Sequence, residues 1–103
     1  MADFKICRKF ETACELLGKR WTGLIIRTLL SGPKRFKDIS QIIENMSDRM
    51  LSERMKELEA GGIVVRHVYD EVPVRIEYEL TEKGQALEPM MDECQKWADE
   101  WVE

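Results

Sequence analysis

The residue of this chain best placed for covalent chemistry is Cys7. It lies just before the first predicted helix, beside Arg8 and Lys9 and two residues after Lys5. Nearby cations and a helix N-terminus both stabilise the thiolate, which is the reactive form of cysteine. The residues alone leave two interpretations open, a reactive sensing thiol and an ordinary N-terminal thiol.

The other two cysteines, Cys14 and Cys94, lie on apolar stripes of predicted helices. Free cysteine on such a stripe usually behaves as a small hydrophobe, so we predict that both are buried. Three cysteines without paired spacing argue against a disulfide framework.

Metal binding and enzymatic activity are not expected. His67 is the only histidine, and the chain has no CxxC spacing, so we predict no metal site and no cofactor. A thiol peroxidase using Cys7 would need an oriented base beside the thiol. His67 is far along the chain and is predicted on a strand surface, which argues against an enzyme.

The charge of the chain is unevenly distributed. The net charge is −4, yet residues 18–37 hold six cations and no acid, whereas residues 82–103 hold seven acids and two lysines. One cationic face would suit the binding of nucleic-acid phosphates. Two ordinary solvated faces would give the same pattern.

The fourth predicted helix presents a polar outward face. Its buried stripe consists of Leu51, Met55 and Leu58, and Ser47 is a good N-cap that can also hold a phosphate with the first amides. Residues near the N-terminus of a recognition helix reach base edges in the major groove. The predicted DNA-binding residues of this segment are Ser47, Asp48, Arg49, Ser52, Glu53 and Lys56.

Several of these side chains have a natural partner in DNA. Arg49 can pair with guanine, Glu53 with cytosine N4, and Ser52 with several bases or a phosphate. The alternative is a surface helix carrying Arg49–Glu53 or Glu53–Lys56 ion pairs. Arg54 flanks the buried stripe, so we predict a structural ion pair for it.

Further cations can contact phosphates, which positions a protein without reading sequence. Lys34, Arg35 and Lys37 surround Phe36 at the start of the third predicted helix, and an exposed basic loop is the alternative. Arg66 and Arg75 lie on the strands of a predicted hairpin and can face phosphates. The acidic hairpin tip would be repelled by DNA.

Hydrophobic periodicity defines the elements that carry these residues. Apolar stripes at helical spacing mark four helices, ending at residues 61–62. Val74, Ile76, Tyr78 and Leu80 alternate with polar residues, which indicates a half-buried strand. We therefore predict one domain over residues 1–103 with a mainly α (α+β) winged helix-turn-helix fold. Its parts are a helix-turn-helix at about 36–60, a hairpin wing at about 63–80 and a long helix at about 82–102.

The last predicted helix is too long for a small domain to cover. From Leu87 to Trp101 it spans about 21 Å, and its wide apolar stripe would overhang. An isologous homodimer would bury that stripe. A terminal helix folded onto its own core is the alternative. The predicted interface on this helix comprises Leu87, Met90, Met91, Cys94, Trp97 and Trp101.

Five segments together resemble the signature segments of the bacterial HxlR-type regulators, which are relatives of the MarR repressors. They are Leu17-Gly18-Lys19-Arg20-Trp21, Gly32-Pro33-Lys34-Arg35-Phe36, residues 50–59, residues 72–78 and Leu80-Thr81-Glu82-Lys83-Gly84. The resemblance runs in one register from about Cys7 to Trp101. Within the family, the chain is most similar to YodB-like repressors that sense quinones and diamide.

This resemblance implies a winged-helix homodimer on a palindromic DNA operator. It implies that the first helix, with Phe10, joins the last helix in the dimer interface, and that Cys7 senses electrophiles. In the subgroup such a cysteine is alkylated, or joins a cysteine of the other subunit, and DNA is released.

The chain departs from the subgroup in three places. Arg8 replaces the usual proline after the sensing cysteine, and Ser47-Asp48-Arg49 replaces the usual Ser-Gln-Lys, which puts the operator sequence in doubt. No cysteine follows Cys94. Alkylation, or a disulfide with a small thiol, is therefore as well supported as a disulfide between subunits.

A cytoplasmic location without membrane contact is expected. No stretch of about 18 apolar residues is present, and the start Met1-Ala2-Asp3-Phe4-Lys5 lacks the pattern of a secretion signal. The resulting prediction is a DNA-binding repressor released by reaction at Cys7. A winged-helix protein-interaction module and a regulator without a thiol switch are the alternatives.

Overall fold

The computed structural model describes residues 3–103, so Met1 and Ala2 of the segment examined for a secretion signal lie outside it. Six helices and one antiparallel hairpin follow one another along these residues. In chain order they are α1 (Arg8–Gly18), α2 (Thr22–Leu29), α3 (Phe36–Ile42), α4 (Asp48–Ala60), β1 (Val64–Tyr69), β2 (Arg75–Leu80), α5 (Glu82–Gln85) and α6 (Glu88–Trp101). This order confirms the predicted mainly helical fold with a hairpin.

The core is built around α2, which is apolar over most of its surface. Its buried side chains meet Ile39 of α3, the base of the hairpin and the inward stripe of α4. That stripe is the predicted set of Leu51, Met55 and Leu58, each no more than 1 % exposed. Helical spacing would place Leu24 of α2 and Ile42 of α3 on buried stripes, but both are exposed.

The hairpin stands on the core at its base. Val64 pairs with Leu80 there, and both are buried, whereas the far end at Tyr69 and Arg75 is more exposed. The predicted alternation of buried and exposed residues along β2 is not clear in the structure, since the first five residues of the strand are all half-buried. Val74 precedes the strand and is exposed, which corrects its predicted inward position.

A short β-bridge joins the basic segment to the hairpin. The Lys34 backbone N–H donates to the Tyr78 carbonyl at 3.0 Å, and the Tyr78 N–H donates to the Lys34 carbonyl at 2.7 Å. These two bonds fix the start of α3 beside β2.

The predicted continuous helix over residues 82–102 is wrong in one respect, because the structure breaks it at Ala86 and Leu87. The Thr81 hydroxyl caps the short α5 by accepting from the Gly84 N–H at 3.2 Å. Pro89 lies in the first turn of α6, where its missing N–H costs no hydrogen bond. The break lets α5 pack on β2 while α6 leaves in its own direction.

Both outer helices are poorly covered by the chain itself. Neither α1 nor α6 has a buried residue. The radius of gyration is 15.7 Å, against about 13 Å for a compact domain of 100 residues. Cys14 and Cys94, which we predicted to be buried, are therefore exposed in the single chain. No helix within residues 3–103 has the length and hydropathy needed to cross a membrane.

Candidate nucleic-acid interface and reactive cysteine

The turn between α3 and α4 is held by side chains at the start of α4. The Ser47 hydroxyl accepts from the Met50 N–H at 3.1 Å and so caps the helix as predicted. The Ser40 hydroxyl donates to Asp48 Oδ1 at 2.8 Å, which ties α3 to α4. Asn45 has φ 67°, a left-handed conformation that asparagine tolerates better than most residues. The Asp48 carboxylate, one of the predicted DNA contacts, is thus engaged within the protein.

The outward face of α4 presents Arg49 to solvent. Its side chain is 91 % exposed, and its Nε lies 3.6 Å from Glu53 Oε1. This pair is one of the two ion pairs weighed as the alternative to DNA contact. At that length and exposure it binds weakly, so Arg49 can exchange it for a base edge.

Three other predicted residues meet at a crevice of about 300 Å³ between α4 and the hairpin. Ser52 and Lys56 line it from α4, and Arg66 lines it from β1. Two cations and a hydroxyl lining a surface crevice suit a phosphate, and the Glu59 carboxylate on the same lining opposes it. Among the ion pairs within residues 3–103, none includes Arg66 or Lys56.

Arg75 has a different environment from the other predicted phosphate contacts. Its Nη1 lies 2.6 Å from Glu77 Oε2 and its Nη2 lies 3.0 Å from Glu71 Oε1. The guanidinium also stacks over the Tyr69 ring, 4.0 Å from its centroid. Glu71 and Glu77 raise the pKa of Arg75 above its ordinary value. Arg75 thus neutralises and fixes the acidic end of the hairpin.

The predicted basic segment lies close to this end of the hairpin. Arg75 first, and Arg35 to a smaller degree, lower the pKa of Glu71. The backbone N–H of Arg35 donates to Asp38 Oδ2 at 3.2 Å at the start of α3. The side chain of Arg35 is exposed to solvent. Lys37 is also exposed, and Lys34 is half-buried beside the hairpin.

Cys7 is the N-cap residue of α1 and is exposed. Its side chain forms no regular capping hydrogen bond. The backbone N–H groups of Phe10 and, to a smaller degree, Lys9 nevertheless lower the pKa of Cys7. Neighbouring cations and the helix N-terminus were both expected to contribute, whereas here the helix amides supply the effect.

The residues predicted at a dimer interface fall into two groups. Phe10, Met90, Cys94, Trp97 and Trp101 are exposed, whereas Leu87 and Met91 are half-buried against the core of their own chain. An apolar groove of about 420 Å³ separates α6 from α2 and is lined in part by Met90 and Cys94. Phe4 and Ile6 are exposed as well. Neither belongs to the predicted interface.

A helix-turn-helix followed by a hairpin, with an exposed polar face on its second helix, defines a winged helix-turn-helix protein. The chain belongs to the HxlR-like helix-turn-helix family, which it matches over residues 16–103. This confirms the resemblance read from the sequence. Cys7 lies outside the matched residues, so membership of the family does not itself assign a sensing role.

Two relatives from Bacillus subtilis (strain 168) are HTH-type transcriptional regulators. YodB is 54 % identical over 98 residues, which cover 95 % of this chain and 88 % of YodB. YvaP is 50 % identical over 103 residues, covering 100 % of this chain and 95 % of YvaP. The chain is therefore a transcriptional regulator of the HxlR type, and its family implies DNA binding.

Solved structures of YodB resemble this chain closely in three states. The reduced form has a TM-score of 0.85 at 54 % identity, covering 96 % of this chain and 97 % of YodB. The diamide-treated form has a TM-score of 0.80 at 53 % identity, covering 97 % of this chain and 99 % of YodB. The quinone-bound form has a TM-score of 0.81 at 51 % identity, covering 93 % of this chain and 100 % of YodB. The structure of a MarR-family regulator from Porphyromonas gingivalis W83 is also similar. Its TM-score is 0.90 at 29 % identity, covering 96 % of this chain and 100 % of that regulator, which confirms the predicted MarR-like fold.

Proposed function

We propose that this regulator is a homodimeric repressor that leaves its DNA operator when Cys7 reacts with a quinone or another electrophile. The observation that carries the proposal is the exposed Cys7 thiol at the N-terminus of α1, whose pKa the Phe10 and Lys9 amides lower. YodB, which is 51–53 % identical to this chain in these structures, has a quinone-bound and a diamide-treated form, and this supports a response to electrophiles here.

DNA is bound with α4 in the major groove. Arg49 reads a guanine, Glu53 accepts from a cytosine N4, and Ser47 and Ser52 contact neighbouring bases or phosphates. Lys56 and Arg66 hold one phosphate in the crevice between α4 and the hairpin. Lys34, Arg35 and Lys37 contact another beside α3, whereas Asp48 and Arg75 serve mainly to order the protein surface.

The dimer forms through α1 and α6. Exposed aromatic side chains on both helices, among them Phe10, Trp97 and Trp101, provide the apolar surface that a second copy covers. Aromatic residues are enriched at such interfaces. Sedimentation equilibrium of Trp97→Asp should show a monomer, whereas Lys96→Asp, at the adjacent exposed position of α6, should remain dimeric.

At Cys7 the thiolate adds to a ring carbon of the quinone. A carbon–sulfur bond forms, the quinone takes up the electron pair and a proton, and the product is a thioether-substituted hydroquinone. No second thiol is needed. With diamide as oxidant, Cys7 and a small thiol instead form a disulfide while diamide is reduced to the hydrazine.

The test compares operator binding before and after quinone treatment. Fluorescence anisotropy would use a duplex selected from random sequences, in which half-site centres are expected about 10 bp apart or a multiple of that distance. Treatment should release the wild type and a Cys14→Ser/Cys94→Ser variant, whereas Cys7→Ser should stay bound. Equal release of wild type and Cys7→Ser would remove Cys7 from the mechanism. Absence of duplex binding would favour a protein-interaction module.

A further inference from the structure

The turn that joins α1 to α2 is tied directly to the recognition helix α4. Lys19 Nζ lies 3.0 Å from Glu57 Oε2. Arg54 Nε donates to the Arg20 carbonyl oxygen at 2.9 Å. Two contacts thus connect this turn with two positions of α4 about one turn apart, across 38 and 34 residues of sequence.

These contacts form one connected group, which we call the α1–α4 joint and define as Lys19, Arg20, Trp21, Arg54 and Glu57. Arg54 is only 15 % exposed and also pairs with Glu57, at 3.2 Å. Lys19, and to a smaller degree Arg54, lower the pKa of Glu57.

The backbone of the joint is held in an unusual conformation. Trp21 has φ 78°, in the left-handed region that large side chains rarely adopt. The Arg20 guanidinium lies over the Trp21 ring, 4.5 Å from its centroid. Such a conformation persists only where surrounding contacts fix it, and the bonds to Arg54 and Glu57 supply contacts of that kind.

Helix α1 connects Cys7 at its N-terminus with the contacts to α4 just after its C-terminus. Its 11 residues span about 16 Å, with Cys7 at one end and the joint at the other. Residues 8–15 are exposed in the single chain, whereas Leu16 and Leu17, next to the joint, pack against the core. On α4, Glu57 lies about 12 Å along the helix from Arg49. A displacement at Glu57 can therefore tilt the end of α4 that reads DNA.

We propose that the α1–α4 joint is the positioning element that transmits a displacement of α1, caused by reaction at Cys7, to α4. This inference rests on the proposed function. Lys19 and Glu57 act through the orientation of α4 and need not touch DNA. Once the joint is broken, α1 moves while the buried stripe of Leu51, Met55 and Leu58 keeps α4 in its binding orientation.

The measured quantity is the release ratio, the operator Kd after quinone treatment divided by the Kd before it. Glu57→Gln removes the charge shared by Lys19 and Arg54. The matched control Glu93→Gln removes the same charge from an exposed pair with Lys96 on α6, whose atoms are 3.2 Å apart. Wild type and control should show a ratio of about 5 to 150, the usual range for coupled sites.

Glu57→Gln should bind the operator nearly as well as wild type before treatment but show a release ratio lower by about 2- to 30-fold. Lys19→Met should lower the ratio as well. Lys19→Met removes the ion pair between Lys19 and Glu57 but keeps the pair between Arg54 and Glu57. Because Lys19 is exposed, this variant tests the role of the joint even if Glu57→Gln fails to fold. Thermal unfolding followed by circular dichroism checks the fold of each variant.

The outcomes separate the two proposals. If quinone does not release the wild type, both the proposed function and the role of the joint are overturned. If it releases wild type, Glu57→Gln and Lys19→Met with the same ratio, the repressor mechanism stands and the joint has no part in it. If a variant loses operator affinity equally before and after treatment, its release ratio is unchanged. This outcome likewise means that the joint has no part in the release.

Discussion

Arg27 Nη1 lies 2.8 Å from Asp92 Oδ1, and this contact joins the central helix of the core to the outer helix α6. Next to it, Met91 is the residue of α6 that packs against the core cluster. The apolar groove between α6 and α2 runs alongside this contact, since Arg27 and Met91 both line it. The ion pair therefore lies where α6 leaves the core and contributes to fixing its direction.

Loss of this ion pair should destabilise the fold slightly. The side chains are 43 % and 52 % exposed, so we expect a coupling energy of about 0.2–1 kcal/mol. A double-mutant cycle of Arg27→Gln and Asp92→Asn in urea unfolding measures it, and added salt should reduce it. The more exposed Lys96–Glu93 pair should give a smaller coupling in the same assay. A coupling no larger than that reference would show that the pair does not fix α6.

Replacement of Arg49 should affect both affinity and base selectivity. We expect Arg49→Ala to cost about 1–3 kcal/mol of operator binding and to relax specificity at one base position. Arg49→Lys is the matched control, because it keeps the charge but loses the bidentate fork that reads guanine. It should retain binding to non-specific duplex while losing the same base preference. Unchanged selectivity in both variants would contradict a base-reading role.

The helical part of the fold was predictable because its signal is local. The spacing of Leu51, Met55 and Leu58 indicates both the helix and its buried side, and Ser47 marks where it begins. The predicted helix-turn-helix over residues 36–60 matches α3 and α4, and the predicted wing matches the hairpin. The ion pair of Arg54 was predicted correctly from its position beside the stripe.

Other features depend on contacts between distant residues and leave no local pattern. The bridge between Lys34 and Tyr78 and the left-handed Trp21 are of this kind. Periodicity indicates the apolar faces that carry Cys14 and Cys94, but it does not say what covers them, and no part of residues 3–103 buries either cysteine. The DNA contacts and the dimer surface stay predictions for the same reason, since their partner is another molecule.

The crevice between α4 and the hairpin should contribute one phosphate contact through Lys56. Lys56→Met should weaken binding to all duplexes alike and reduce the slope of log affinity against log salt by about 1. Lys96→Met makes the same change on α6, away from the crevice, and should leave the slope unaltered. Titrations at several salt concentrations supply the slopes. If Lys56→Met has the same slope of log affinity against log salt as wild type, Lys56 does not contact a phosphate.

Gly84 lets α5 pack closely against the base of the hairpin. A Cβ at this position would overlap the Ile63 carbonyl oxygen and lie 2.9 Å from Leu80 Cδ2. Because both neighbours are fixed in the core, Gly84→Ala should destabilise the protein by about 1–3 kcal/mol. Gly18→Ala is the comparison, since a Cβ there would have no neighbour within 4 Å and the φ of Gly18 is not positive. That variant should be neutral or stabilising by up to about 1 kcal/mol, and urea unfolding measures both.

The reactivity of Cys7 should depend on pH in a way that reveals the α1 amides. The Phe10 and Lys9 N–H groups lower the pKa of Cys7, so the thiolate persists to lower pH than in an unstructured chain. The alkylation rate should be level above this pKa and fall as the pH drops through it. Iodoacetamide labelling of a Cys14→Ser/Cys94→Ser protein, followed by mass spectrometry, gives the midpoint without interference from other thiols.

A peptide of residues 5–11 separates the effect of the helix from that of the neighbouring cations. It keeps Lys5, Arg8 and Lys9 but is too short to form a stable helix in water. Its labelling midpoint should therefore lie at higher pH, closer to the ordinary cysteine value of about 8.5. Equal midpoints for protein and peptide would assign the reactivity to the cations alone. A protein midpoint above that of the peptide would show that the folded chain protects Cys7, which is the opposite of what a sensor requires.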